Sequence, residues 1–223
     1  MKLIVLIIIG ILVVLLVPTA YYRLKNLFKR KEKSQTVYLT FDDGPSKEYT
    51  QKLLSLLRRY GIKATFFVIG ETALENKEII SEMVRDGHTI GFHGMTHTNQ
   101  ILKGYSKCKR EFEEGIAVFK SMELGPTLYR PTWGCFGVFT SYFADIYGFS
   151  VLLWDIMIGD WKKKDSRVLK DDLINKVKGG EVICLHDGRG EEGAPGKMIE
   201  ALEVAIPNLL KRGFKFEGLE YGR

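Results

Sequence analysis

The pattern of apolar and polar positions divides the chain into two unequal parts. From Leu3 to Tyr22 there is no charged side chain, and Leu3–Val17 is almost unbroken Leu, Ile and Val. Beyond residue 33 the pattern changes to short apolar runs alternating with amphipathic stretches. The runs Val37–Phe41, Thr65–Ile69, His88–Phe92, Thr127–Arg130, Phe149–Leu153, Val182–Leu185 and Phe214–Phe216 predict seven strands. Helical spacing is predicted over Ser46–Tyr60, Thr72–Arg85, Tyr105–Met122, Val138–Tyr147, Arg167–Lys178 and Lys197–Arg212. Strand–helix alternation of this kind predicts an α/β domain with a parallel sheet. Periodicity alone leaves a barrel and an open doubly wound sheet as alternatives.

Charge sharpens the division. The 223-residue chain has a formal net charge of +6. Residues 1–33 hold seven Lys or Arg and one acid, whereas residues 34–223 hold 26 bases and 26 acids. The body is neutral, which argues against a nucleic-acid partner. Twenty uncharged residues at ~1.5 Å each match the ~30 Å hydrocarbon layer. We therefore read residues 3–22 as a single-pass membrane helix rather than a cleaved leader, because Pro18 fits poorly before a cleavage site at Ala20. Tyr21, Tyr22 and the following basic run would form the interfacial collar. The expected organisation is an anchor and juxtamembrane segment over 1–33 and one folded domain over 34–223. Three cysteines (Cys108, Cys135 and Cys184) are too few and too scattered for a disulfide framework.

Chemistry gathers at the ends of the predicted strands. Asp42-Asp43 follows the first, His93 and His97 the third, Arg130 ends the fourth, Asp155 and Asp160-Trp161 follow the fifth, and His186-Asp187 follows the sixth. In a parallel architecture those ends share one face, where such folds build their sites. His93 and His97 would project from one face if their turn were helical, and could grip a metal; two loop histidines are the alternative. Along an extended chain Asp42 and Asp43 would point oppositely, leaving one acid to ligate and the other to act as a base. Arg130 supplies a fixed cation beside them, or a structural ion pair. Trp133 and Trp161 offer apolar walls, and His186 a general acid. His88 precedes its strand and is expected to be an ordinary, partly exposed histidine.

Five segments, TFDDGP (Thr40–Pro45), HxxxH (His93–His97), RPTWG (Arg130–Gly134), DW (Asp160-Trp161) and LHD (Leu185–Asp187), stand in the order seen in polysaccharide deacetylases with a NodB-homology domain, carbohydrate esterase family 4. The resemblance runs from about Thr36 to the C-terminus. It implies a distorted (β/α)7 barrel and metal-dependent removal of N-acetyl groups from amino sugars of a cell-wall or surface polysaccharide. It assigns Asp43, His93 and His97 to a divalent metal, usually zinc, with cobalt or nickel as alternatives. It makes Asp42 the general base steadied by Arg130, and His186 the acid that protonates the departing amine. The Trp133 backbone N–H would help stabilise the oxyanion, while Trp161 and Leu185 would line the acetyl pocket. With the N-terminal span, this implies a membrane protein whose catalytic domain lies outside the cytoplasm, although the basic collar itself favours the cytoplasmic side.

Three positions depart from the family pattern. Gly94 stands where Ser or Thr braces the histidine loop, and Thr132 where Pro is usual. Met157 replaces an Asp that commonly orients the catalytic histidine, leaving Asp155 or Asp160 to substitute. Two other readings compete: a deacetylase of a lipid-linked amino sugar, and a silent carbohydrate-binding domain.

Overall fold

The remaining elements are arranged around the central strand, whose apolar side chains are buried. The computed structural model describes residues 10, 13, 16–25 and 34–220. In chain order the elements are β1 (Thr36–Asp42), α1 (Thr50–Arg59), β2 (Thr65–Val68), α2 (Gly70–Glu75), α3 (Lys77–Arg85), β3 (Thr89–Phe92), α4 (Tyr105–Lys120), β4 (Leu128–Tyr129), α5 (Val138–Ile146), β5 (Ser150–Val151), β6 (Ile156–Met157), α6 (Ser166–Lys176), β7 (Val182–His186), α7 (Ala194–Lys211) and β8 (Lys215–Phe216). β1 is flanked by β2 and β7, with Phe41 opposite both Phe66 and Leu185, and β8 pairs with its first residues. Every pairing is parallel, so all strand ends of like sense face one way.

The sheet order is β5-β4-β3-β2-β1-β7-β6, with β8 attached to β1. This corrects the expected seven-stranded barrel. The sheet is a curled, open parallel half-barrel of eight strands, and its edges β5 and β6 do not pair with each other. The link between them makes its hydrogen bonds elsewhere. The Leu152 carbonyl accepts from Arg130 Nε (3.2 Å) and the Asp155 N–H donates to the Val182 carbonyl (2.9 Å), so these groups are engaged away from a closing seam. β6 is the unpredicted strand; at two residues it carries no periodicity.

The helices pack as their patterns require. Leu53, Leu54, Leu56 and Leu57 of α1 are all buried. The helix begins at Thr50 rather than Ser46, because the Ser46 N–H donates to Thr50 Oγ1 (2.7 Å) and holds a turn. The single helix expected over 72–85 is split at Asn76, whose side chain donates to the Thr72 carbonyl (2.8 Å). Phe92 centres an aromatic cluster with Phe112, Phe119, Tyr129 and Phe149. Gly115 of α4 is required there, since a Cβ would sit 2.3 Å from the Phe92 ring.

The expected span 3–22 lies largely outside the described residues. Among the described residues, no helix is long and apolar enough to cross a membrane. Residues 16–25 are helical and lie against the body. Thr19 Oγ1 donates to the Phe136 carbonyl (3.1 Å) and accepts from its N–H (3.0 Å), Tyr22 packs on the Phe136 ring, and Arg23 lies over Trp154.

Candidate metal centre

The strand ends converge on one cleft of about 380 Å³, lined by Asp42, Asp43, His93, His97, Trp133, Trp154, Met157, Trp161, Cys184, His186, Arg189 and Gly190. Asp42 is the last residue of β1. Asp43 has φ 73°, a left-handed backbone, and this turn brings both carboxylates to the same side instead of opposite ones. The extended-chain expectation is therefore wrong here. Asp43 Oδ1 lies 3.2 Å from His93 Nε2 and 3.1 Å from His97 Nε2, while Asp42 Oδ2 is 4.0 Å from His93 Nε2.

The histidine turn is a loop, not a helix, so the two imidazoles converge without helical spacing. Gly94 makes this possible with φ 93°, and a Cβ there would meet Glu111 Oε1 at 2.8 Å. Glu111, buried on α4, takes the place of the bracing hydroxyl. Its Oε1 accepts from the Met95 N–H (2.9 Å) and from Gln100 Nε2 (3.3 Å), and Lys103 pairs with the other oxygen. No local motif announces this residue. Thr132 ties the RPTWG segment to the histidine loop, because its hydroxyl donates to the Thr98 carbonyl (2.6 Å).

The cluster has the donor set for a cation. His93 Nδ1 is 2.7 Å from the Arg130 carbonyl, an acceptor only, so Nδ1 carries the proton and a neutral ring turns its Nε2 lone pair to Asp43. Asp43 Oδ1 has no satisfactory hydrogen-bond donor. Two imidazole nitrogens and a buried carboxylate oxygen aimed at each other need a positive charge between them, which a proton or a divalent ion supplies. Burial pushes the Asp43 carboxyl up, but the imidazoles of His93 and His97 beside it overcome that and hold it far below the usual carboxylate range. The three residues fit a two-imidazole, one-carboxylate site.

Arg130, completely buried, donates through Nη1 to Asp42 Oδ1 and to Thr40 Oγ1, both at 2.7 Å, and stacks on Phe67. In the same cleft, His186 donates its backbone N–H to Asp160 Oδ2 (2.7 Å), and its Nδ1 is 3.1 Å from Asp160 Oδ1. Asp160 thus fills the orienting role left open by Met157. Asp155 instead accepts from the Val182 N–H (2.8 Å). Burial lowers the His186 pKa, but the Asp160 carboxylate, with Asp42 and Asp43 beyond it, raises it to about 9.

Trp133 and Trp161 line the cleft, and Trp161 meets His186 edge-on. Trp133 and Gly134 both have left-handed backbones, φ 61° and 63°. Leu185 does not reach the cleft. It is fully buried in the main core, because alternation along β7 places it opposite His186. The same alternation puts Cys184 on the cleft side, where its thiol donates to Asp42 Oδ2 (3.3 Å). Burial and the nearby Asp42 raise the Cys184 pKa well above the usual thiol value, so the sulfur carries its proton. Counting two residues back from His186 would have found it. Trp154 and Arg189 were also missed. His88 lies away from the cleft, as expected, but is buried rather than partly exposed, and its Nδ1 accepts from the Ala64 N–H (3.2 Å).

Fold and centre together define a parallel α/β protein with a metal-ligand constellation at the carboxyl ends of its strands. A family model for polysaccharide deacetylases matches residues 29–151, and the chain belongs to that family. A peptidoglycan-N-acetylglucosamine deacetylase of Bacillus cereus is 30% identical over 182 residues, covering 81% of this chain and 84% of the relative. The peptidoglycan-N-acetylmuramic acid deacetylase PdaA of Bacillus subtilis is 29% identical over 215 residues, covering 91% and 80%. The crystal structure of the Bc1960 peptidoglycan N-acetylglucosamine deacetylase superposes with a TM-score of 0.78 at 28% identity, covering 83% of this chain and 86% of that one.

Proposed function

We propose that the protein is a metal-dependent hydrolase that removes N-acetyl groups from amino sugars of a cell-wall polysaccharide of the peptidoglycan type. The observation that carries this reading is the make-up of the cleft: Asp42 and His186, a base and an acid, line the same cavity as Asp43, His93 and His97. A divalent ion bound by those three, with zinc the best match to the donors, supplies a Lewis acid for the acetamide carbonyl and makes water more acidic. Asp42, with Oδ1 pinned by Arg130, takes the proton of the attacking water at Oδ2. The water oxygen bonds to the carbonyl carbon, and the Trp133 N–H would stabilise the developing oxyanion. The C–N bond then breaks, and His186, protonated at neutral pH, gives its proton to the amine nitrogen. Acetate and a free amino sugar leave. Trp133, Trp154 and Trp161 shape an apolar rim for the sugar and its acetyl group.

The anchor reading belongs to the same proposal: residues 3–22 hold the domain at a membrane, with the cleft outside the cytoplasm and facing its polymer. The test is acetate release from peptidoglycan and from N-acetylglucosamine oligomers by the full chain, with chelator and after restoring zinc. The expected result is release that chelation abolishes and zinc restores. Release unaffected by chelator, or none from either glycan after metal loading, would overturn the reading.

A further inference from the structure

We propose that Asp42, Cys184 and His186 form a second divalent-metal site, selective for thiophilic ions such as zinc, whose occupation switches the centre off. One ligand atom from each of the three lies within 4.8 Å of the others, in a cluster that shares no residue with Asp43, His93 and His97. Around a tetrahedral ion with bonds of ~2.0–2.3 Å, donor atoms stand roughly 3.3–3.8 Å apart, so side-chain adjustments of about an ångström close the cluster. Each ligand has its other end already fixed. Arg130 holds Asp42 Oδ1, which leaves Oδ2 to ligate once the Cys184 thiol gives up the proton it shares with it. Asp160 holds His186 Nδ1, which leaves Nε2 for the ion, the usual arrangement of a carboxylate behind a ligating histidine. The Cys184 sulfur already contacts Asp42 Oδ2 and lines the same cleft.

The donor set selects the ion. Thiolate, imidazole and a single carboxylate suit zinc and its soft neighbours, whereas magnesium and calcium require oxygen ligands. As the two new bonds to sulfur and nitrogen form, the Cys184 thiol proton and the His186 Nε2 proton pass to solvent. Occupation therefore removes both the proton acceptor and the proton donor of the proposed reaction. A first ion at Asp43, His93 and His97 activates; a second at this site inhibits. Only the effect on turnover rests on the deacetylase reading, because the site is defined by ligands alone.

The test is a titration of the metal-free full chain with cobalt(II), followed by its near-ultraviolet sulfur-to-cobalt absorption. The expected wild-type result is two equivalents bound, with the sulfur band growing on the second. Cys184→Ala is expected to bind one equivalent without the band, and that retained first equivalent shows that the variant is folded. His97→Ala is expected to weaken the first site and keep the band. In the acetate-release assay, excess zinc should inhibit the wild type, and Cys184→Ala should need at least about 10-fold more zinc for the same inhibition. A single wild-type equivalent with no sulfur band would overturn the proposal, as would a band that survives Cys184→Ala. Because cobalt stoichiometry needs no substrate, its outcome is separate from that of the acetate assay.

Discussion

At the residue scale, buried ionisable groups and the partners that hold them set the behaviour of the cleft. Arg130 and Asp42 are paired with no solvent to share the charge. Removing one partner of such a pair leaves the other buried and uncompensated, at about 3–5 kcal/mol. We expect Arg130→Met to lower stability by about that amount in a urea titration and to abolish turnover. Asp42→Asn should abolish turnover with a smaller loss, since the amide still accepts from the guanidinium. His186 is held at about 9 by Asp160. A raised pKa means that its contribution to stability is fully present below the ordinary imidazole value of 6.5 and is lost as pH rises through about 9. Asp160→Asn should move the alkaline limb of the kcat/KM profile to lower pH, and an unmoved limb would show that another group sets it. His88 behaves oppositely. Burial lowers it to about 4, so its contribution is present above 6.5 and is lost as pH falls toward about 4. His88→Gln should flatten that acid loss in a thermal melt series.

At the scale of elements, the loops rather than the strands hold the geometry. The Trp133–Gly134 turn runs through left-handed backbone, and a Cβ on Gly134 would lie 2.2 Å from the Trp154 ring. Gly134→Ala is expected to cost on the order of 1–3 kcal/mol and to displace Trp154 from the cleft wall, visible as a changed tryptophan emission. Glu111 braces the histidine loop from α4. Glu111→Ala should weaken metal binding by about 10–100-fold while leaving the ligands in place, as read by competition with a chromophoric chelator. Much of this scale was legible beforehand. Seven strands and the strand-end positions of Asp42, Asp43, His93, His97, Arg130 and His186 follow from apolar periodicity and parallel topology. β6 did not show, because Ile156–Met157 is too short to have a period. Leu185 was assigned to the acetyl pocket by the family resemblance alone, whereas alternation along β7 sends its side chain into the core. Glu111 was invisible because it acts across eight to sixteen residues of separation, through hydrogen bonds that only the fold creates.

At the scale of the whole molecule, the open edge between β5 and β6 lies beside the cleft, where Trp154 and Met157 line it. A closed seven-stranded barrel would narrow that edge; the half-barrel leaves room for a polymer to lie across the strand ends. The N-terminal helical residues 16–25 reach the same region through Thr19, Tyr22 and Arg23. Under the anchor reading, the cleft then sits at a fixed attitude to the membrane. Ile8→Arg combined with Leu12→Arg, at about 2.5–3.5 kcal/mol for each charge at a span centre, should release the chain from the membrane fraction after alkaline extraction. Retention of that double variant would contradict the anchor.

The centre itself can be observed most directly by anomalous diffraction at the zinc edge from crystals of the full chain loaded with one equivalent of zinc. A single peak is expected about 2.0–2.2 Å from an Asp43 oxygen, His93 Nε2 and His97 Nε2, with Asp42 and His186 beside it and not ligating. A peak elsewhere, or three side chains that hold no zinc, would contradict that expectation.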